Sequence, residues 1–344
     1  MGPMKTVFLS LLIAHFFDAI LVAEELTKRT QVLMGTYVSV SLKNKDLALS
    51  QKVFERLKKV ENALSSYDPQ AEIYQLNDQH ESNLSKDTYD ALILSKKYYE
   101  NTQGYFDITI GSITKGLFHF GEAEALPSKD ALSKAKIDFN GLHFDRTKAW
   151  TDEGVKIDLG GMGKGFGVDK AKEVLIKQGV KEGVIALSGD IFCFHRCQMA
   201  IQNPFSEDTL ASFVMAEEMS AISTSGNYRR YVKNIKYNHL INPKTRQSQR
   251  AFASITLIST EYCNSDLDAY ATAASVMPEL EALSFLDSLG LAYLLVTNDK
   301  RVVENEELGR LTQKLDIHYF ENSPQREYIR VSPSKTQNSK KRSP

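Results

Sequence analysis

The chain has 344 residues, 42% of them hydrophobic and 25% charged, which suits one large core or two small ones and excludes a wholly disordered chain. Lys and Arg total 42 against 43 Asp and Glu, so no global basic field marks a nucleic-acid binder. Any partner must be recognised at local sites.

At the N-terminus Lys5 precedes VFLSLLIAHFFDAILVA and Glu24-Glu25, which reads as a secretory signal peptide over residues 1–23 with cleavage near Ala23. The rival reading is a spanning anchor, but His15 and Asp18 interrupt the run and its apolar length is marginal for a bilayer. Export implies a periplasmic or extracytoplasmic location. Membrane contact is then expected only through an uncleaved N-terminus or a membrane-bound partner. Residues 328–344 end in VSPSKTQNSKKRSP, a basic, polar stretch that reads as a disordered tail. One domain over 24–327 remains.

Along that domain, TQVLMGTYVSVSLKN alternates as a strand pinched at Met34-Gly35-Thr36. Residues 47–64 place Leu49, Val53, Leu57, Val60 and Leu64 on one helical face. Asp68-Pro69 forces a turn beside Tyr67, which is either a boundary aromatic or a stacking surface for a ring. A second helix spans 87–101. In the following GYFDITIG, Asp107 either caps a turn or binds a polar ligand group. Residues 121–135 read as a loop and a short helix.

VKIDL then reads as a strand, followed by a glycine-rich turn and a helix from about Phe166. Gly161, Gly163, Gly165 and Gly167 would let backbone N–H groups approach a phosphate, with the helix N-terminus aimed at it. The alternative is a tight strand-to-helix turn. The run is no P-loop, because Gly165 follows Lys164, and no dinucleotide fingerprint, because Phe166 and Val168 are not glycine.

GVIALSGDIFCF reads as one more strand, with Ser188-Gly189-Asp190 as a bulge or ligand loop, giving an order that resembles a βαβ unit. The short strands that follow argue instead for an α+β fold, a mixed, largely antiparallel sheet with packed helices. In CFHRC, Cys193, His195 and Cys197 share a strand face, but zinc would lack a fourth ligand. A disulfide so local would be strained, and Cys263 is an alternative partner.

Thr224, Ser225 and Gly226 offer hydroxyl and backbone donors to a phosphate, and His239 beside the LINP turn is either structural or catalytic. Asp268 and Thr272, four apart near a helix start, share a face. They form either an ordinary first-turn charge with its neighbour or an oxygen pair for a hard cation such as magnesium.

Taken in order, MGT at Met34, SSYDPQAEIYQLN, GYFDITIG, DLGGMGKGFGVD, STSGNYRRY, HLINP and DAYAT resemble the FAD:protein FMN transferase family, the ApbE-like flavin transferases. The resemblance covers residues 30–320 and implies a T-fold-related architecture. It also implies FAD and Mg2+, with FMN transferred to a threonine or serine hydroxyl in the flavinylation motif of an exported acceptor protein and AMP released. Carried over by motif, Met34, Tyr67, Tyr105, Phe106, Asp107, Asp158, Lys164 and Ile241 would contact FAD, with Thr224 offering its hydroxyl. The main-chain oxygen of Gly161, with Asp268 and Thr272, would hold magnesium. His239 would be the base and Lys164 would neutralise charge.

The chemistry suits these roles, because cleaving a diphosphate concentrates charge on the leaving group and a hydroxyl nucleophile needs a base. The chain departs from the family pattern at Asn242, where aspartate is usual, at Arg246 and Ser188, where glycine is usual, and at Ala71 in place of serine. Losing a carboxylate at 242 is expected to weaken the orientation of His239. Two other activities fit the same pocket, FAD pyrophosphatase action and non-catalytic flavin binding or trafficking.

Overall fold

The structure is a computed structural model that describes residues 25–320. The signal peptide expected at 1–23 and the tail expected at 328–344 lie outside the described residues. Among the described residues no helix is long and apolar enough to cross a membrane.

The centre is an eight-stranded sheet whose strands neighbour one another in chain order: β1 (Thr27–Leu33), β2 (Thr36–Leu42), β3 (Gly183–Leu187), β4 (Asp190–Cys193), β5 (Ser220–Gly226), β6 (Phe252–Ser259), β7 (Ala292–Thr297) and β8 (Val302–Glu304). Every adjacent pair is antiparallel. Alternation divides the side chains between two cores. Ala221, Ile255, Leu257 and Leu295 face a helical layer. Ile222, Ile258, Leu294 and Val296 face a second core under the three-stranded sheet of 198–202, 209–215 and 312–317. Coverage on both faces explains why every residue of β6 is buried.

The helical layer holds α1 (Leu49–Leu64), α2 (Glu72–Gln79), α3 (Lys86–Asn101), α4 (Gly163–Lys177), α5 (Asn264–Val276) and α6 (Glu279–Ser288). On α1 the expected face is buried at Val53, Leu57, Val60 and Leu64, with Leu49 partly buried beside it.

The α+β, largely antiparallel reading agrees with this architecture, but several local expectations change. The segment read as one pinched strand is a hairpin, because Met34 and Gly35 both take positive φ, 53° and 69°, as a two-residue primed turn requires. GVIALSGDIFCF is likewise the β3–β4 hairpin, turning at Ser188 with φ 57°. VKIDL is not a strand. Lys156 makes only an isolated bridge to Ile110, while Asn77 satisfies both backbone groups of Ile157.

The βαβ reading therefore fails, since β3 pairs antiparallel with β2. Helix α4 begins at Gly163, three residues before Phe166, so two of the glycines serve packing. A Cβ on Gly165 would lie 2.2 Å from the Asn264 carbonyl oxygen, and one on Gly167 would lie 2.9 Å from Leu187 and Met34. The cysteines are also reassigned. Cys193 and Cys197 form a disulfide, with Cα atoms 6.1 Å apart, within the ordinary range for a bridge, and Cys263 is free.

Candidate functional site

Helices α4 and α5 meet at Gly165, directly above β4 and β5. Their alignment is fixed by Asp169 of α4, which caps α5 by accepting the N–H groups of Asn264 (3.1 Å) and Ser265 (2.9 Å) and the Ser265 hydroxyl (2.7 Å). One turn earlier, Lys164 reaches over the sheet. Its Nζ lies 2.8 Å from Asp190 Oδ2 and 3.2 Å from each oxygen of Asp268. Asp268 also accepts the Gly165 N–H at 3.0 Å, and the Ser223 hydroxyl donates to Asp190.

Both carboxylates are buried, whereas the Lys164 side chain stays 31% exposed, which leaves the cluster open to a ligand. Burial works against the Lys164 charge, but Asp190 and Asp268 outweigh it and hold the ammonium above the usual lysine range. Burial, and then the neighbouring Asp268, push the Asp190 carboxyl above the usual carboxylate range.

Beside this pair, Thr272 donates to the Gly161 carbonyl at 3.1 Å and lies 3.4 Å from the Ser225 hydroxyl. A Cβ on Gly161 would crowd Thr272 at 3.0 Å and Phe106 at 3.2 Å, so glycine lets this carbonyl sit against the helix. Gly161 O, Thr272 and the carboxylate of Asp268, one turn before Thr272 on α5, form an oxygen set suited to a hard cation. Among the described residues no group of three or more His, Cys, Asp or Glu side chains is placed to hold a metal. A cation here would complete its shell from water and phosphate oxygens, as magnesium commonly does.

His239 lies just before the short strand Ile241–Asn242. Its Nδ1 is 3.1 Å from the Arg230 carbonyl oxygen, which can only accept, so Nδ1 carries the proton and Nε2 keeps a lone pair. Burial, and then the Arg230 charge, lower its pKa to about 4, with Asp158 pulling the other way and Lys164 adding to the depression. The imidazole is therefore neutral at physiological pH. Asp158 is held by the Thr114 hydroxyl at 2.7 Å and the Gly160 N–H at 2.9 Å. Tyr67 donates to the Phe120 carbonyl at 3.0 Å, and Phe120 packs edge-on against His239.

The remaining residues singled out in the sequence fall at different distances from this centre. Phe106 abuts Gly161. Met34 sits at the β1–β2 turn, packed on Gly167, its N–H bonded to Glu61 at 2.7 Å. Tyr105 donates to Glu281 at 2.8 Å, under the ammonium of Lys244. Asp107 takes up the capping alternative, accepting the Thr109 N–H at 2.8 Å and hydroxyl at 2.6 Å, and burial raises its pKa to about 6. Ile241 packs in an apolar cluster with Ile113, Phe118 and Phe120.

Thr224 stands apart from the cluster. Alternation along β5 aims Ser223 and Ser225 at the helices, whereas Thr224 bonds Thr256 at 3.0 Å on the other face. Asp190 was legible only as part of a turn. Its signal is its place at the start of a strand, in phase with inward-facing Phe192.

No hydrogen bond joins Asn242 to His239. The Asn242 Oδ1 accepts the N–H groups of Lys244 (2.8 Å) and Thr245 (3.1 Å), and its Nδ2 donates to the Val276 carbonyl at 2.6 Å.

The ApbE family model matches residues 34–295. An FAD:protein FMN transferase of Treponema pallidum is 25% identical over 328 residues, covering 85% of this chain and 90% of its own length. Another, from Haemophilus influenzae, is 27% identical over 285 residues, covering 74% and 82%. The solved ApbE protein of Thermotoga maritima has a TM-score of 0.77 at 21% identity, over 84% of this chain and 100% of its own. The flavin transferase ApbE of Vibrio cholerae has a TM-score of 0.73 at 20% identity, over 83% and 99%. These structural likenesses speak to the fold, and the family match extends over well more than half of the sequence. The chain belongs to the ApbE family.

Proposed function

We propose that this protein transfers FMN from FAD to a threonine or serine hydroxyl of an acceptor protein, with Mg2+ bound and AMP released. The observation that carries the reading is that Lys164 and the Gly165 N–H meet Asp268 one turn from the Thr272–Gly161 contact, which brings a cation and a set of oxygens to one helix N-terminus.

The acceptor hydroxyl gives its proton to His239 Nε2 as its oxygen attacks the FMN-side phosphorus. The bond from that phosphorus to the bridging oxygen breaks, and AMP leaves with that oxygen. Lys164 has three N–H donors. They face Asp190 Oδ2 and both oxygens of Asp268, and because the side chain is 31% exposed one of the longer contacts to Asp268 would yield to a phosphate oxygen. Held by Gly161 O, Asp268 and Thr272, Mg2+ would neutralise charge on the diphosphate.

The Cys193–Cys197 bridge supports an oxidising, extracytoplasmic location, in keeping with the signal-like N-terminus. The test is incubation with FAD, Mg2+ and a threonine-bearing acceptor, followed by mass spectrometry. The acceptor gains one FMN if the reading is right. FMN and AMP appearing beside an unmodified acceptor would replace transfer with hydrolysis, and intact FAD would reduce the protein to a binder.

A further inference from the structure

Lys115 lies on a π-helical turn, Thr114–Phe118, a geometry that often accompanies functional positions. Its side chain is buried, with 8% of the residue exposed, and its Nζ has no hydrogen-bond partner among the described residues. No acidic side chain among the described residues pairs with it. It rests 3.1 Å from the ring centroid of Tyr67.

A second cation meets the same tyrosine, since Arg230 Nη1 donates to the Tyr67 hydroxyl at 3.2 Å, and Arg230 too lacks a carboxylate partner among the described residues. Burying an ammonium without an anion is costly, and a ring face offsets only part of that cost. Two cations on one aromatic, neither paired with a carboxylate among the described residues, describe a place prepared for an anion. The place adjoins the site already described. Thr114, next to Lys115, holds Asp158, and the Arg230 carbonyl holds His239.

We propose that Lys115 is a substrate-binding residue whose ammonium takes an oxygen of the substrate's diphosphate, with Arg230 as its neighbour across Tyr67. The inference rests on the FAD reading of this site. It assigns the diphosphate a cation outside the Lys164 cluster, and it gives Tyr67 the further role of storing that cation on its ring until the anion arrives.

Wild type, Lys115→Met and Lys115→Arg would be titrated with FAD by quenching of flavin fluorescence, with ADP and riboflavin as competitors, and each would be melted without ligand. Lys115→Met should weaken FAD at least about tenfold, the scale of a lost charged hydrogen bond. ADP should lose potency in parallel and riboflavin should not. Lys115→Arg should recover most of the affinity. The melting temperature of Lys115→Met should hold or rise, because an unpaired buried charge is gone, which separates lost binding from lost folding.

Unchanged FAD affinity in Lys115→Met would overturn the inference alone. So would a loss confined to riboflavin, which would place the lysine on the ring rather than the diphosphate. A wild-type protein that binds no FAD would overturn the reading of the whole site and this inference with it.

Discussion

The ammonium of Lys164 lies 2.8 Å from Asp190 Oδ2, a carboxylate that solvent does not reach. Removing one partner of such a pair leaves the other charge uncompensated, at a cost of about 3–5 kcal/mol. Lys164→Met should destabilise the fold by about 3 kcal/mol, the lower end, because the lysine side chain is 31% exposed. Asp190→Asn keeps an acceptor for Ser223 and should cost less. Urea unfolding of both variants checks the ranking, and equal stability of Lys164→Met and wild type would mean that the pair is not structural.

Asp268 is the only carboxylate in the oxygen set with Gly161 and Thr272. Asp268→Ala should abolish magnesium-dependent turnover, while FAD binding measured without metal should persist. Thr272→Val, which removes one neutral donor, should instead raise the magnesium concentration needed for half-maximal rate by about tenfold. Full activity in Asp268→Ala at low magnesium would remove the cation from this place.

For His239 the sign of the pH effect is set by its depressed pKa. The unfolded histidine titrates near 6.5 and the folded one near about 4, so between these values the unfolded chain binds more protons. Stability contributed by the neutral ring is present above pH 6.5 and is lost as pH falls toward 4. His239→Gln should flatten this part of the stability curve and abolish transfer at saturating FAD. Transfer by the wild type should show no loss from protonation of this group at about pH 6. A rate that halves there would contradict the depressed pKa.

Asp107 has the opposite sign. Its folded pKa, raised to about 6, exceeds that of a free carboxyl, so the stability from its neutral form is present below pH 3.8 and lost as pH rises through 6. An amide at this position would keep the acceptor that Thr109 uses and discard the charge. Asp107→Asn should therefore be more stable than wild type at about pH 8, by on the order of 1–3 kcal/mol, and level with it at about pH 4. Thermal melts at the two pH values decide this. A variant less stable than wild type at the higher pH would mean that the ionised carboxylate has a partner that the structure does not show.

What the sequence made legible, and what it hid, follows from the range of each signal. The α1 face and the Asp268–Thr272 pair depend on spacing within one helix, and both stand in the structure. The roles of Gly165 and Gly167 depend on which element passes nearby, here Asn264, Leu187 and Met34, and spacing says nothing of that. The same limit applies on β5. Thr224 and Ser225 read alike in a Ser/Thr/Gly run, yet the pairing of β5 with β6 sends them to opposite faces of the sheet. VKIDL carries strand chemistry, but Asn77 takes the hydrogen bonds that a partner strand would have supplied.

Asn242 tests a sequence-level expectation directly. If the family's carboxylate acts on His239, restoring it should help catalysis. The geometry argues otherwise, because the Asn242 amide donates to the Val276 carbonyl at the end of α5, a bond that an ionised aspartate cannot make. Asn242→Asp would keep the turn contacts to Lys244 and Thr245 but set a negative charge against a carbonyl oxygen. The variant should lose about 1–3 kcal/mol of stability and leave the pH dependence of transfer unchanged, since the Arg230 carbonyl already fixes the histidine. Chemical denaturation gives the first quantity and a pH–rate profile the second. Faster transfer with a shifted profile in Asn242→Asp would show that the carboxylate reaches His239 once substrate is bound, and that the Arg230 carbonyl is not its sole orienting group.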